Sequence, residues 1–198
     1  MGRPREHGTA TRAALLTTAT ALLSSEGVDA VTVRRVAAET GTTTRAVYSL
    51  FGDKDGLLRA LFGEIAETMR RYHLAVPERE DPVAELAELA SAYRAAAREH
   101  PDLYPLYIGR AAYSLRPTAA DIAHSFTSFE RVEDAVRRAV KSGRFPGRAP
   151  EAIVVQLWSL VHGLASIELS GFLGDEDQAA ARWRDAVSAA LTGYQQAP

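Results

Sequence analysis

Cysteine is absent from all 198 residues, which excludes a disulfide framework, a cysteine-based metal site and a cysteine nucleophile. That absence fits a cytoplasmic protein. No uninterrupted apolar run of about 18 residues occurs, so no membrane-spanning segment is expected. The opening stretch, MGRPREHGTA, has no apolar core of the kind a secretion signal requires. Signatures of catalysis are missing too: there is no H-E-x-x-H pair, no P-loop, no G-x-G-x-x-G after a strand and no G-x-S-x-G turn. His7, His73, His100, His124 and His162 are scattered. No metal site, cofactor or catalytic residue is therefore expected. A surplus of positive charge is also lacking, with 23 Lys and Arg against 25 Asp and Glu and a net charge of −2. For a nucleic-acid partner the distribution matters more than the total. Up to residue 50, Arg3, Arg5, Arg12, Arg34, Arg35 and Arg45 face only Glu6, Glu26, Asp29 and Glu39, a mild basic excess.

What is present is helical periodicity. Apolar residues make up 46% of the chain, enough for one or two domains with real cores, and they recur at spacings of three and four. No alternating strand pattern is visible. Start and stop signals predict a helix over about Thr9–Glu26 ended by Gly27, and a short one capped by Thr32 and closed at Gly41. A second short helix is capped by Thr43, and a longer one opens at Asp53 and runs to about Leu74. Residues 75–81 form a polar break before Asp81-Pro82, an N-cap followed by proline at the first helical position. That helix should end near His100. Thr118 with Asp121 three residues on resembles a capping box and opens a helix to about Gly143. Two final helices follow, over about Pro150–Gly171 and Asp175–Thr192. The first of these is apolar on most of its faces, so it should be buried on most of them, partly against a second subunit. Val187 is an apolar position in the last helix expected on such an interface. The pattern as a whole predicts an all-α fold of about nine helices.

The stretch TVRRVAAETGTTTRAVYS, from Thr32 to Ser49, reads as helix, glycine turn, helix, the spacing of a helix-turn-helix. Val33, Val36 and Ala37 give the first short helix an inward face, and Ala46 and Val47 do so for the second. Thr44, Arg45, Tyr48 and Ser49 share the opposite face by i,i+4 spacing, with Thr43 at its start. None of them is acidic. Their hydroxyls can donate to phosphates or base edges, and an arginine can bond guanine O6 and N7 together. The helix N-termini at Thr32 and Thr43 offer free N–H groups to phosphates.

From about Thr11 to Leu61 the chain closely resembles the DNA-binding domain of the TetR family. The matching residues are Leu15-Leu16, Ala19, Leu22-Leu23, Glu26-Gly27, Thr32-Val33-Arg34, Val36-Ala37, Gly41, Ala46-Val47-Tyr48 and Phe51, then Lys54 and Leu57-Leu58. The resemblance implies a DNA-binding domain over residues 1–55 and a ligand-binding and dimerisation domain over residues 56–198. It implies phosphate contacts from Thr32 and Tyr48, backbone anchoring by Lys54, and a major-groove face built from Thr43, Thr44 and Arg45, beside Ser49. Arg34 either binds phosphate or solvates a helix face, and so does Arg35; Arg3 and Arg5 precede the motif as possible arm contacts. Thr42 stands where an aliphatic residue is usual and Arg45 where a small one is usual. Ser49 and Leu50 replace commoner basic or histidine residues. These departures leave the operator sequence open.

In the C-terminal half, Trp158 to Ala165 resembles the W-x-x-x-H-G pattern of one TetR ligand-domain subfamily. Trp158 and His162 either form a core pair or touch a ligand directly. Tyr104, Tyr107, Tyr113, Phe126 and Phe129 either line an apolar pocket or pack as ordinary core. Arg137, Arg138, Arg182 and Arg184 read as solvated faces. The expected protein is a homodimer joined through its last two helices, released from palindromic double-stranded operator DNA by a small hydrophobic effector. The alternatives are an activator, or a ligand sensor or structural dimer that keeps the fold without binding DNA.

Overall fold

A computed structural model describes residues 4–101, 104 and 117–196. The described residues are helical with short connections and no strands. They divide into two compact units: residues 1–66 with 102–125, and residues 67–101 with 126–198.

In the first unit, α1 (Pro4–Glu26), α2 (Val33–Thr40) and α3 (Thr44–Phe51) pack on one another, and the start of α4 (Lys54–Ala75) is tied to them by Lys54 on the Val28 carbonyl and by the Arg12–Glu64 ion pair. α1 begins five residues earlier than its periodicity suggests. The inward residues are Leu15, Leu16, Ala19, Leu22 and Leu23 of α1, Val36 and Ala37 of α2, Val47 of α3, and Leu57, Leu58 and Leu61 of α4, all buried. Val33 and Ala46 are only partly covered. Both predicted caps are in place: Thr32 Oγ1 accepts the Arg35 N–H and Thr43 Oγ1 accepts the Ala46 N–H, each at 3.2 Å. Between the short helices Gly41 adopts φ 72°, and the next N–H, of Thr42, reaches the Ala37 carbonyl at 2.9 Å. A side chain at Gly41 would be strained in that left-handed conformation. At the start of α4, Asp53 Oδ1 accepts the Gly56 N–H at 2.7 Å. A methyl group on Gly56 would lie 1.9 Å from the Phe51 carbonyl oxygen, so only glycine fits this corner. The same unit holds α6 (Ala119–Ser125), where Thr118 N–H and Oγ1 both donate to Asp121 and the Asp121 N–H donates back to Thr118 Oγ1.

The second unit is organised around α5 (Pro82–Glu99), which packs against α7 (Glu130–Lys141), α8 (Pro150–Leu169) and α9 (Glu176–Gln195). Asp81 caps α5 at the Val83 N–H, with Pro82 in the first turn. The core joins Leu86, Leu89, Tyr93, Ala96 and Ala97 of α5 to Val132, Ala135, Val136 and Ala139 of α7. Ile153, Leu157, Val161 and Ala165 of α8 and Trp183, Val187 and Leu191 of α9 complete it.

Three expectations change. The helix predicted from Thr118 to Gly143 is broken: a 3-10 segment, Phe126–Phe129, separates α6 from α7. Ser125, Thr127 and Ser128 are weak helix formers, the Ser125 hydroxyl donates back to the Ile122 carbonyl, and the Ser128 carbonyl accepts from a side chain of α4. Val187 faces its own subunit and is 5% exposed, so it is not an interface position. Arg138 is not simply solvated, because it bonds a buried carboxylate, Glu85. One further helix bears on the expectation that nothing crosses a membrane. By length and composition alone α8 could do so, and its most apolar stretch is only 22% buried.

Candidate nucleic-acid interface and aromatic cluster

Thr43, Thr44, Arg45, Tyr48 and Ser49 are all exposed along one side of α3, as are Thr32 and Arg34 at the start of α2. Thr32, Arg34, Thr44, Tyr48 and Lys54, five of the residues predicted to contact DNA, line one open recess of about 640 Å³ together with Val33. Thr43, Arg45 and Ser49 lie outside that lining, on the same exposed helix. Tyr48 is 55% exposed, far more than a tyrosine held for packing alone. Capping uses a lone pair on Thr32 and on Thr43 and leaves each hydroxyl proton free to donate outward. Arg34 and Arg45 make no hydrogen bond or ion pair with any described residue, whereas Arg35 is committed: it bonds Glu26 at 2.6 and 2.8 Å and Glu39 at 2.8 Å. Hydrogen bonds to those carboxylates raise the Arg35 pKa further, and Arg35 is thereby tied to its own unit. Lys54 Nζ donates to the Val28 carbonyl at 3.1 Å. This fixes the start of α4 to the α1–α2 loop and leaves ammonium protons for a phosphate. No acidic residue lies in the first turn of α2 or α3. Arg3 lies outside the described residues.

The predicted ligand residues separate. Phe129 and Trp158 come together in the second unit with His73 of α4 and Tyr93 of α5. They wall a small cavity with Leu86, Leu89, Ala90, Val132, Leu157 and Val161. Its free volume is about 20 Å³, room for one water. The rings pack edge to face or tilted, with Phe129 and Trp158 centroids 6.2 Å apart and Tyr93 and Phe129 6.4 Å apart. His162 stands beside the cavity wall: its Nδ1 meets the Tyr93 hydroxyl, and its ring lies 5.6 Å from Trp158. Trp158 and His162 are thus packed against each other, and of the two Trp158 lines the cavity. Tyr104 is buried but belongs to the first unit, and Phe126 is half exposed. Tyr107 and Tyr113 lie outside the described residues.

Two histidines in this cluster were weighed differently by sequence. His73 gave no signal, since a lone histidine at the end of an amphipathic helix carries no motif, yet it is 1% exposed. Its Nδ1 bonds the Ser128 carbonyl at 2.6 Å. Burial lowers its pKa, against the opposing effect of that bond. Burial also pushes His162 down to about 4. Both rings are neutral at physiological pH.

Glu85 was missed as well. It is 1% exposed and receives Arg131 at 2.7 Å, Arg138, and the Arg79 N–H at 2.8 Å. Burial alone would raise its pKa; the Arg79 N–H and the Arg138 guanidinium outweigh it and leave the carboxyl below its usual value. Arg131 also donates to the Val76 carbonyl and Arg138 to the Arg79 carbonyl. The three side chains therefore clamp the segment that follows α4 onto α5 and α7.

Comparison with known proteins places both halves. Residues 15–61 match the family described as bacterial regulatory proteins, tetR family. Residues 86–190, which contain Trp158 and His162, match the tetracyclin repressor-like C-terminal domain. An uncharacterised HTH-type transcriptional regulator of Mycobacterium tuberculosis is 25% identical over 169 residues, 84% of this chain and 73% of that protein. A TetR family transcription regulator from Marinobacter aquaeolei superimposes with a TM-score of 0.78 at 18% identity, over 95% of this chain and 97% of that one. The fatty acid degradation regulator FadR from Bacillus halodurans does so with a TM-score of 0.75 at 13% identity, over 94% and 97%. At those identities the structural likenesses establish the fold.

Proposed function

This chain belongs to the TetR family of DNA-binding transcriptional regulators, and from that premise we propose that it is a repressor released from a palindromic operator by a small uncharged molecule. The observation that carries the reading is the outward side of α3. Thr44, Arg45, Tyr48 and Ser49 are exposed there, none is acidic, and Arg45 has no partner among the described residues. A face with donors and no counter-ions suits a groove whose walls are phosphates and whose floor offers acceptors. In this reading Thr32, Arg34, Tyr48 and Lys54 grip phosphates, Arg45 reads a base edge, and Thr43, Thr44 and Ser49 complete the contact. A regulator of this kind works on DNA in the bacterial cytoplasm.

Two heads on a palindrome require a two-fold dimer. α8 supplies a face for it: Ala152, Val155, Ser159, Gly163, Ser166 and Ile167 are exposed along one side, and Val155 is 58% and Ile167 43% exposed. Small residues between larger apolar ones let two helices approach closely. Burial against a second copy of α8 and α9 explains why so apolar a helix is left largely uncovered, and it does so without a membrane.

The effector site is the aromatic cluster. Its cavity is too small for a ligand as it stands, so binding must displace part of the wall. One wall residue, His73, lies on α4, the same helix that begins at Lys54. A ligand that moves His73 acts on the helix that leads to the DNA-contacting residues. Release follows only if the ligand favours the DNA-incompetent state.

The experiment is a fluorescence anisotropy titration of DNA from upstream of the protein's own coding region, repeated across salt concentrations. The expected result is tight, sequence-dependent binding that weakens steeply as salt rises. Binding equal to that of an unrelated duplex would reject the regulator reading for this DNA face.

A further inference from the structure

Among the described residues, no side chain lining the aromatic cavity carries a charge. The wall consists of aliphatic residues, Tyr93, Phe129, Trp158 and the imidazole of His73. His73 is neutral, because burial holds its pKa down. The arginines of α7 are turned elsewhere: Arg131 and Arg138 close on Glu85. A carboxylate or phosphate brought into this cavity would lose its hydration and meet no cation among the described lining residues.

The polar atoms of the wall narrow the choice further. The Ser128 carbonyl can only accept, so the proton on neutral His73 sits on Nδ1 and the lone pair on Nε2. Nε2 makes no hydrogen bond with a described residue. The Tyr93 hydroxyl is engaged with His162. Trp158 Nε1–H is buried and has no partner among the described residues. Among the described wall residues, the ring atoms with unused hydrogen-bonding capacity are thus an acceptor on His73 and a donor on Trp158, in a setting that favours a flat apolar occupant.

We propose that the effector is an uncharged aromatic molecule bearing a hydroxyl group, of the phenol class. Its ring packs among Tyr93, Phe129 and Trp158, and its hydroxyl donates to His73 Nε2. The inference rests on the cluster being the effector site. It goes further in excluding anionic ligands and in making a hydrogen-bond donor on the ligand decisive.

Three probes of similar size separate the possibilities: 4-ethylphenol, ethylbenzene and 4-ethylbenzoate, titrated into the purified full-length protein by calorimetry without DNA. 4-Ethylphenol should bind about tenfold tighter than ethylbenzene, equivalent to about 1.4 kcal/mol, and 4-ethylbenzoate should bind at least tenfold weaker than ethylbenzene. Leu157→Ala, which enlarges the cavity, should strengthen both neutral probes several-fold and keep their order. His73→Phe should bring the ratio of the two neutral probes to about one; if that variant does not fold, the wild-type and Leu157→Ala series still decide. Equal affinities for phenol and hydrocarbon, a tighter carboxylate, or no binding to either protein would overturn the proposal. Failure of the same preparation to bind DNA would instead bear on the regulator reading alone, since these constants are measured in its absence.

Discussion

Gly56 and Gly63 occupy the same helix and should respond to a methyl group in opposite ways. At Gly56 the added carbon would collide with the Phe51 carbonyl 1.9 Å away, and the backbone there is held by the Asp53 cap. Gly56→Ala should therefore destabilise the first unit by about 2 kcal/mol or more. Gly63 lies inside α4 with nothing within 4 Å of the added carbon, so Gly63→Ala should stabilise by about 0.5–1 kcal/mol. Urea unfolding of the two variants measures both. The buried histidines make a second prediction at this scale. Burial lowers the pKa of His162 to about 4, while in the unfolded chain it returns to about 6.5. Below that higher value the unfolded state takes up protons that the folded state refuses. Stability should thus fall as pH drops from about 6.5 toward 4, and His73, lowered in the same direction, adds to the loss. The depressed carboxyls of Glu85 and Asp121 add to the loss only from about pH 5 downward, at the acid end of that window and below it. Melting temperature against pH should show the slope, and His162→Gln should flatten it; an unchanged slope would remove His162 as its source.

Among the elements, α8 and α9 both carry valines at apolar positions and differ in where these point. Val155 of α8 faces outward and Val187 of α9 faces inward. Val155→Glu should give a folded monomer with weakened DNA binding. Val187→Glu should instead lose helical structure or aggregate, because it places a charge in the core. Light scattering combined with circular dichroism distinguishes the two outcomes, and a stable Val155→Glu dimer would move the interface off this face of α8. The Glu85 clamp acts between elements as well. Glu85→Gln leaves Arg131 and Arg138 without their carboxylate beside the segment that follows α4. The cost should be about 2–3 kcal/mol, below that of a fully buried pair because both arginines keep some contact with water. Thermal unfolding with a Glu85→Gln, Arg131→Gln double-mutant cycle isolates the pairwise part.

Across the whole molecule, legibility followed locality. Caps, glycine turns and the i,i+4 face of α3 are set within a few residues, so Thr32, Thr43, Gly41 and the exposed side of the second short helix could be read directly. The 3-10 break at Phe126–Phe129 could be read only in part: its weak helix formers are local, but the partner of its Ser128 carbonyl, His73, lies fifty-five residues earlier in the chain. Glu85 has the same origin: a lone glutamate near a helix start reads as solvated until the arginines of α7 arrive from forty-six and fifty-three residues away. Val187 shows the complementary failure, since periodicity marks a residue as apolar-facing without saying whether its own subunit or a partner covers it. The ligand residues were half legible for the same reason. Phe129 and Trp158 share a wall, but that wall is completed by Tyr93 and His73, which no pattern linked to them.

The central claim is that the exposed side of α3 reads DNA, and the affinity of Arg45→Ala for the upstream sequence tests it most directly. The exposed guanidinium makes no hydrogen bond or ion pair with a described residue, so its loss should leave fold and dimer intact. Specific affinity should drop by about 5- to 150-fold, the value of one bidentate base contact, while affinity for an unrelated duplex changes little. A variant that binds the upstream sequence as tightly as the wild type, at the same salt, would contradict the account.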